Sequence, residues 1–215
     1  MRSLILKDLY NIGHNAKSML FMLGVLAVVL IPTSGASAYI IVSAILCSMM
    51  IVTTFTFDDN SSWLRYAMIM PVSKKDIVVG KYIMLVIFCV IGSLFGLVVS
   101  LIAGLAMRKI TFNLAGIVEL LLLTLVALVI SLISGSMSIP LVFKFGAERA
   151  RVLLVISILV PLAICFGIYQ VFVLLGIELT DQLVLIILYG SPIIALFWCY
   201  VMYRICCQIF KKQDL

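Results

Sequence analysis

Residues 82–107 read YIMLVIFCVIGSLFGLVVSLIAGLAM, a run without a single Asp, Glu, Lys or Arg. At 1.5 Å per residue it makes about 39 Å of helix. A helix apolar on every side offers no polar face to water, and this length crosses a hydrocarbon layer of about 30 Å with tilt. Similar runs recur along the chain, whose 215 residues are 65% hydrophobic and 11% charged, with a mean hydropathy of +1.33. A water-exposed domain carries charge on about a quarter of its residues, which this composition cannot supply. The reading is an all-α integral membrane protein. At about 20 residues per crossing plus short connections, the chain holds six transmembrane helices and little else.

Outward from 82–107, the chain divides into alternating apolar runs and charged connections. Residues 1–17 place Leu4, Ile5, Leu9 and Ile12 at helical spacing among Arg2, Lys7, Asp8, Asn11 and Lys17, the pattern of an amphipathic helix lying on the membrane surface. Residues 18–57 hold the first two crossings, broken at Pro32–Gly35. The apolar run from Ser18 reads as a retained helix, with a cleaved signal peptide as the alternative. A charged segment spans 58–81, the third and fourth crossings 82–143, a second charged loop 144–151, the fifth and sixth crossings 152–203, and a tail 204–215.

The bases fix the orientation, because positive charge stays on the cytoplasmic side. With the N-terminus inside, thirteen Lys and Arg are cytoplasmic and only Arg108 and Lys109 lie outside. Both termini, segment 58–81 and loop 144–151 are then cytoplasmic. The net charge of +6 falls in short clusters between apolar runs and not in a basic stripe, so it marks topology and not nucleic-acid binding. The six cysteines, at 47, 89, 165, 199, 206 and 207, follow neither disulfide nor zinc spacing and read as reduced thiols. Cys206 and Cys207, at the inner end of the last helix, are either buried or free thiols, or acylated.

Residues 58–81 read DDNSSWLRYAMIMPVSKKDIVVGK. Trp63, Tyr66, Ala67 and Met70 fall on one face of a short helix that Pro71 ends. Ser73 with Asp76 is an N-cap pattern opening a second helix, which leads into the third crossing. Two readings stand for this segment. It is a lever that inserts into a groove on a partner, or an interfacial anchor with Trp63 and Tyr66 at headgroup depth and Lys74 and Lys75 facing anionic lipid.

The stretch Met70-Pro-Val-Ser-Lys-Lys-Asp-Ile-Val-Val-Gly-Lys-Tyr82, after an acidic pair and an aromatic-bearing short helix, resembles the permease subunits of ABC-2 type exporters. There the approach to the third helix commonly reads Leu-Pro-Val-Ser-Arg or Lys, then an apolar pair and a Lys or Arg before Tyr; Met70 stands where Leu is more usual. The six-helix plan of the whole chain matches as well. The short form, with no large outer domain, looks most like permeases that export amphipathic peptides such as phenol-soluble modulins, bacteriocins or bacitracin-type antibiotics.

The resemblance implies one permease domain in a bacterial plasma membrane, paired with a second copy or a related subunit. It implies two copies of a separate ABC ATPase, which carry the ATP and Mg2+, with no cofactor or metal bound by this chain. It places the ATPase contact on Asp58, Asp59, Trp63, Leu64, Arg65, Tyr66, Met70, Pro71, Lys74 and Lys75, with a second contact at Lys144, Glu148 and Arg149. The substrate it implies is an amphipathic or hydrophobic molecule, above all a peptide. The competing class is a membrane assembly factor or sensor that transports nothing and has no ATPase partner.

The sequence carries none of the common catalytic signatures. There is no Gly-x-x-x-x-Gly-Lys-Ser/Thr phosphate loop, since Gly80-Lys81 lacks both the upstream glycine and the hydroxyl. The single histidine, His14, reads as an exposed polar residue, and no paired aspartates, Ser-His pair or His-Glu-x-x-His motif lies in the apolar runs. Glu119 is the one acidic residue inside a run, roughly 9 Å beyond Asn113 at 1.5 Å per residue. It is either an interfacial residue, pairing with Arg108 or Lys109, or part of the export path. Gly92, Gly96, Ser100 and Gly104 form a small-xxx-small stripe for helix packing, within the chain or between subunits. Pro140, Pro161 and Pro192 permit kinks.

Overall fold

A backbone in hydrocarbon must satisfy its own N–H and C=O groups, and uninterrupted apolar runs do so as helices. The computed structural model describes residues 2–61, 63, 66, 67, 73–106, 114–146, 149–174 and 181–211. Among them are six long helices: α1 (Arg2–Ser34), α2 (Ala36–Asn60), α3 (Lys74–Ala106), α4 (Leu114–Phe145), α5 (Ala150–Leu174) and α6 (Asp181–Lys211). Trp63, Tyr66 and Ala67, in the connection from α2 to α3, are helical too. Five of the six helices, all but α5, are long and apolar enough to cross a membrane. In α5 the corresponding apolar stretch is the shorter Val152–Gly167. Phe21, Val28, Leu162, Ile193 and Phe197 stand exposed on the outside of the bundle, as a lipid-facing surface requires.

Helix α2 is the centre of the bundle and packs on α1, α3 and α4; α6 lies against α4 and α3, and α5 against α4. The small-residue stripe of α3 faces α2. A Cβ on Gly92 would stand 2.5 Å from Cys47 Cβ and 3.1 Å from Ala44 Cα, and one on Gly96 would stand 3.1 Å from Ile40 Cα. One turn on, the Ser100 hydroxyl donates to the Ala36 carbonyl at 3.2 Å, and Ser43 of α2 donates to the Gly92 carbonyl at 3.3 Å. Gly104 is buried as well.

Several element ends differ from the sequence reading. The surface helix expected over 1–17 and the first crossing form one unbroken helix, because neither proline nor a turn sequence separates them. That helix runs 33 residues, about 50 Å at 1.5 Å per residue, longer than the hydrocarbon layer. It ends where expected: Pro32 lies in its last turn, and Gly35 takes φ 89, a left-handed conformation that costs glycine little. The tail expected from Arg204 stays helical to Lys211, since Cys206 and Phe210, four residues apart, are both buried in the core. At the start of α3 the expected cap is present: Asp76 N–H donates to Ser73 Oγ at 3.2 Å, and Ser73 N–H returns a long bond of 3.4 Å to Asp76 Oδ2.

Candidate functional site

Three helices bring charge into the core at one end of the bundle. On α1, Ile5, Asp8 and Ile12 share a face, and that face turns inward: Ile12 and Asp8 are buried while Leu6, Leu9 and Tyr10 are exposed. On α2, Asp58 continues the buried row of Ile51, Thr54 and Phe55. On α3, Lys81 lies in the row of Ile77, Val78, Met84 and Leu85, all buried. Each charge thus occupies a position that helical periodicity assigns to the core.

The charges meet there as a quartet of two lysines and two aspartates. Lys81, 3% exposed, has three oxygens around its ammonium: Asp58 Oδ2 at 2.7 Å, Asp8 Oδ2 at 2.9 Å and Thr54 Oγ1 at 3.0 Å. Lys7 pairs with Asp58 Oδ1 and lies 3.4 Å from Asp8 Oδ1. Each carboxylate is therefore shared by both ammonium groups, and the set is electrically neutral. An unpaired ion in such a place costs several kcal/mol, which alternation of sign offsets. Among the described residues, Asp8 Oδ1 accepts no hydrogen bond.

Aromatic rings cover the quartet. Lys7 Nζ sits 3.4 Å from the centre of the Trp63 ring, and Lys81 Nζ 4.8 Å from that of Phe55. Phe55 meets Phe143 of α4 edge to face at 4.9 Å, and Phe143 meets Phe210 of α6 at 4.8 Å. Lys74, in the first turn of α3, lies 5.6 Å from the Phe210 ring. The connection between α2 and α3 is thereby joined to α1 through Trp63, and the start of α3 to α6 through Lys74. A small cleft lined by Lys7, Asp8, Trp63, Ile77, Gly80 and Lys81 opens beside the junction.

The residues singled out from the sequence divide between this junction and the surface. Asp58 is buried in the quartet and Trp63 covers it, while Asp59 and Lys75 are exposed. The face expected to unite Trp63, Tyr66 and Ala67 is split: Ala67 is 1% exposed and Tyr66 62%. Leu64, Arg65, Met70, Pro71 and Glu148 lie outside the described residues. Lys144 and Arg149 are exposed, Lys144 lying 5.2 Å from the Phe145 ring. Glu119 is exposed on α4, and its expected partners Arg108 and Lys109 lie outside the described residues. The rest of the quartet comes from Lys7, half-buried, and from Asp8 and Lys81, both buried; the sequence reading used Lys7 and Asp8 for topology and the polar side of a surface helix, and Lys81 for topology and as the Lys before Tyr82 in the resemblance. Their register was the available signal, since Asp8, Asp58 and Lys81 all fall on apolar stripes. Cys206 is buried and Cys207 half-buried, both as free thiols.

Set against known families, residues 3–211 match a family model described as ABC-2 family transporter protein. No curated protein and no solved structure matches the chain.

Proposed function

The chain belongs to the ABC-2 family of transporter proteins, and on that premise we propose that it is the permease of an ATP-driven exporter, worked by a separate ATPase that presses on residues 58–81. The observation that carries this reading is the quartet. A segment that only anchored the chain in headgroups would need no buried tie to the bundle. Here Trp63 and Asp58 join it to α1 and α3 through four shared charges, so a displacement of the segment acts on three helices at once.

The distribution of lysine and arginine supports a cytoplasmic place for this junction, where ATP is available. The exposed Tyr66, Asp59 and Lys75 are the surface offered to the ATPase, with Arg65 and Met70 added from the sequence pattern alone, and Lys144, Glu148 and Arg149 are its second contact. Helix α5, 25 residues long, supplies the sixth crossing at about 37 Å. A second permease copy or a related subunit completes the assembly. The cargo is an amphipathic or hydrophobic molecule, with a peptide favoured by the resemblance to the short peptide-exporting permeases.

The reading is tested by co-expressing the chain with the ABC ATPase encoded nearest to it and comparing wild type with a Trp63→Ala, Arg65→Ala, Met70→Ala triple variant. Co-purification that the triple variant loses, or ATP hydrolysis that it no longer modulates, supports the lever. No association, or a variant that behaves as wild type, returns the segment to an interfacial anchor.

A further inference from the structure

The two lysines of the quartet are held very differently. Lys81 is enclosed, with three oxygens within 3.0 Å. Lys7 is the accessible member: its side chain is 24% exposed, it bonds Asp58, and Asp8 Oδ1 lies 3.4 Å away. Trp63 covers one further side of the ammonium, 3.4 Å from the ring centre. An aromatic face holds an ammonium only while it stays over it. Should the ring move, that side of Lys7 meets water, and its flexible four-carbon stem can carry the charge out.

Departure of Lys7 changes the arithmetic of the junction. Two carboxylates, Asp8 on α1 and Asp58 on α2, would then share the single ammonium of Lys81, leaving a net charge of −1 in a buried place. The like charges lie on the two helices that Lys7 bridges, so the consequence is mechanical: the N-terminal stretch of α1 loses its direct ion pair with α2 and is held there only through Lys81, against the repulsion of Asp58.

We propose that Trp63 and Lys7 form a release catch, through which the position of the α2–α3 connection decides whether residues 2–17 of α1 are docked on the bundle. The catch is reciprocal, as any coupling between two equilibria must be: drawing Trp63 away frees Lys7, and removing Lys7 loosens Trp63. Lys81 is the fixed member and keeps α2 joined to α3 in both states. The proposal depends on the ATPase reading only for what moves the ring, because the catch itself lies within the chain.

The test is hydrogen exchange of the full-length permease in lipid nanodiscs, without any ATPase, so that failure here and failure of the ATPase reading are separate results. Trp63→Ala and Lys7→Gln are each expected to raise amide exchange in residues 2–17 about tenfold, as local opening does, and the double variant no further than either. Amides of α4 stay at the wild-type rate. Trp63→Phe and Lys7→Arg, which keep the ring and the charge, stay within about threefold of wild type over residues 2–17. The proposal is overturned if either single loss leaves exchange unchanged, if the two effects multiply in the double variant, or if the conservative pair opens the stretch as much as the losses do.

Discussion

Helices α2 and α3 are held along their length by shape and at one end by charge. In the middle, Gly92 and Gly96 let the backbones close to distances at which a single added carbon would collide with Cys47, Ser43 or the main chain of Ile40. That contact has one geometry and offers little room for a second. At the end, Asp58 and Lys81 are joined by an ion pair of 2.7 Å shared with α1. Such a bond can be exchanged for water or for another partner. The two regions are therefore different kinds of joint: the glycine seam leaves little room for rearrangement, whereas the quartet is held by bonds that can be exchanged.

The two regions should fail differently. The largest effect is expected from Lys81→Met, which leaves Asp8 and Asp58 buried against Lys7 alone; breaking a buried pair from one side costs about 3–5 kcal/mol. Thermal unfolding in detergent should show the loss, and adding Asp8→Leu to it should recover most of the stability by restoring neutrality. Gly96→Val should cost about 1–3 kcal/mol by overpacking, with no second substitution of charge able to rescue it. Ser100→Ala, which deletes one interhelical bond of 3.2 Å to Ala36, should cost about 0.6 kcal/mol in the same assay. If a charge change rescued Gly96→Val, or failed to rescue Lys81→Met, the contrast between the regions would collapse.

Most of the fold was legible because it rests on length and apolarity, which are sums over many residues. The run at 82–107 needs no partner to be read as a helix, Gly35 marks the hairpin, and Ser73 with Asp76 writes the start of α3. The ends were harder to place. The lack of a proline or turn after residues 2–17 permits one continuous helix without requiring it, and nothing local shows that Cys206 and Phe210 find a core to extend α6. The site was half legible for the same reason. Asp58 and Trp63 stood out as members of the longest charged segment, but Lys7 looked like a topology signal and Lys81 like the last residue of that segment before Tyr82. Their role arises from three helices meeting, at separations in sequence of 51 and 73 residues. Only the register of Asp8 and Lys81 on apolar stripes pointed inward. Glu119 shows the converse: a carboxylate inside an apolar run that the packing leaves on the outside.

That the quartet carries force between the ATPase and the membrane helices is open to a direct check by charge removal in the reconstituted complex. ATP hydrolysis would be measured in vesicles for wild type, Asp8→Leu, Lys81→Met and the two together. Each single change, which leaves the junction charged, should abolish the permease's effect on ATP hydrolysis, and the pair, which restores neutrality through Lys7 and Asp58, should recover a substantial part of it. Single changes that hydrolyse like wild type, or a double no better than its parents, would contradict it.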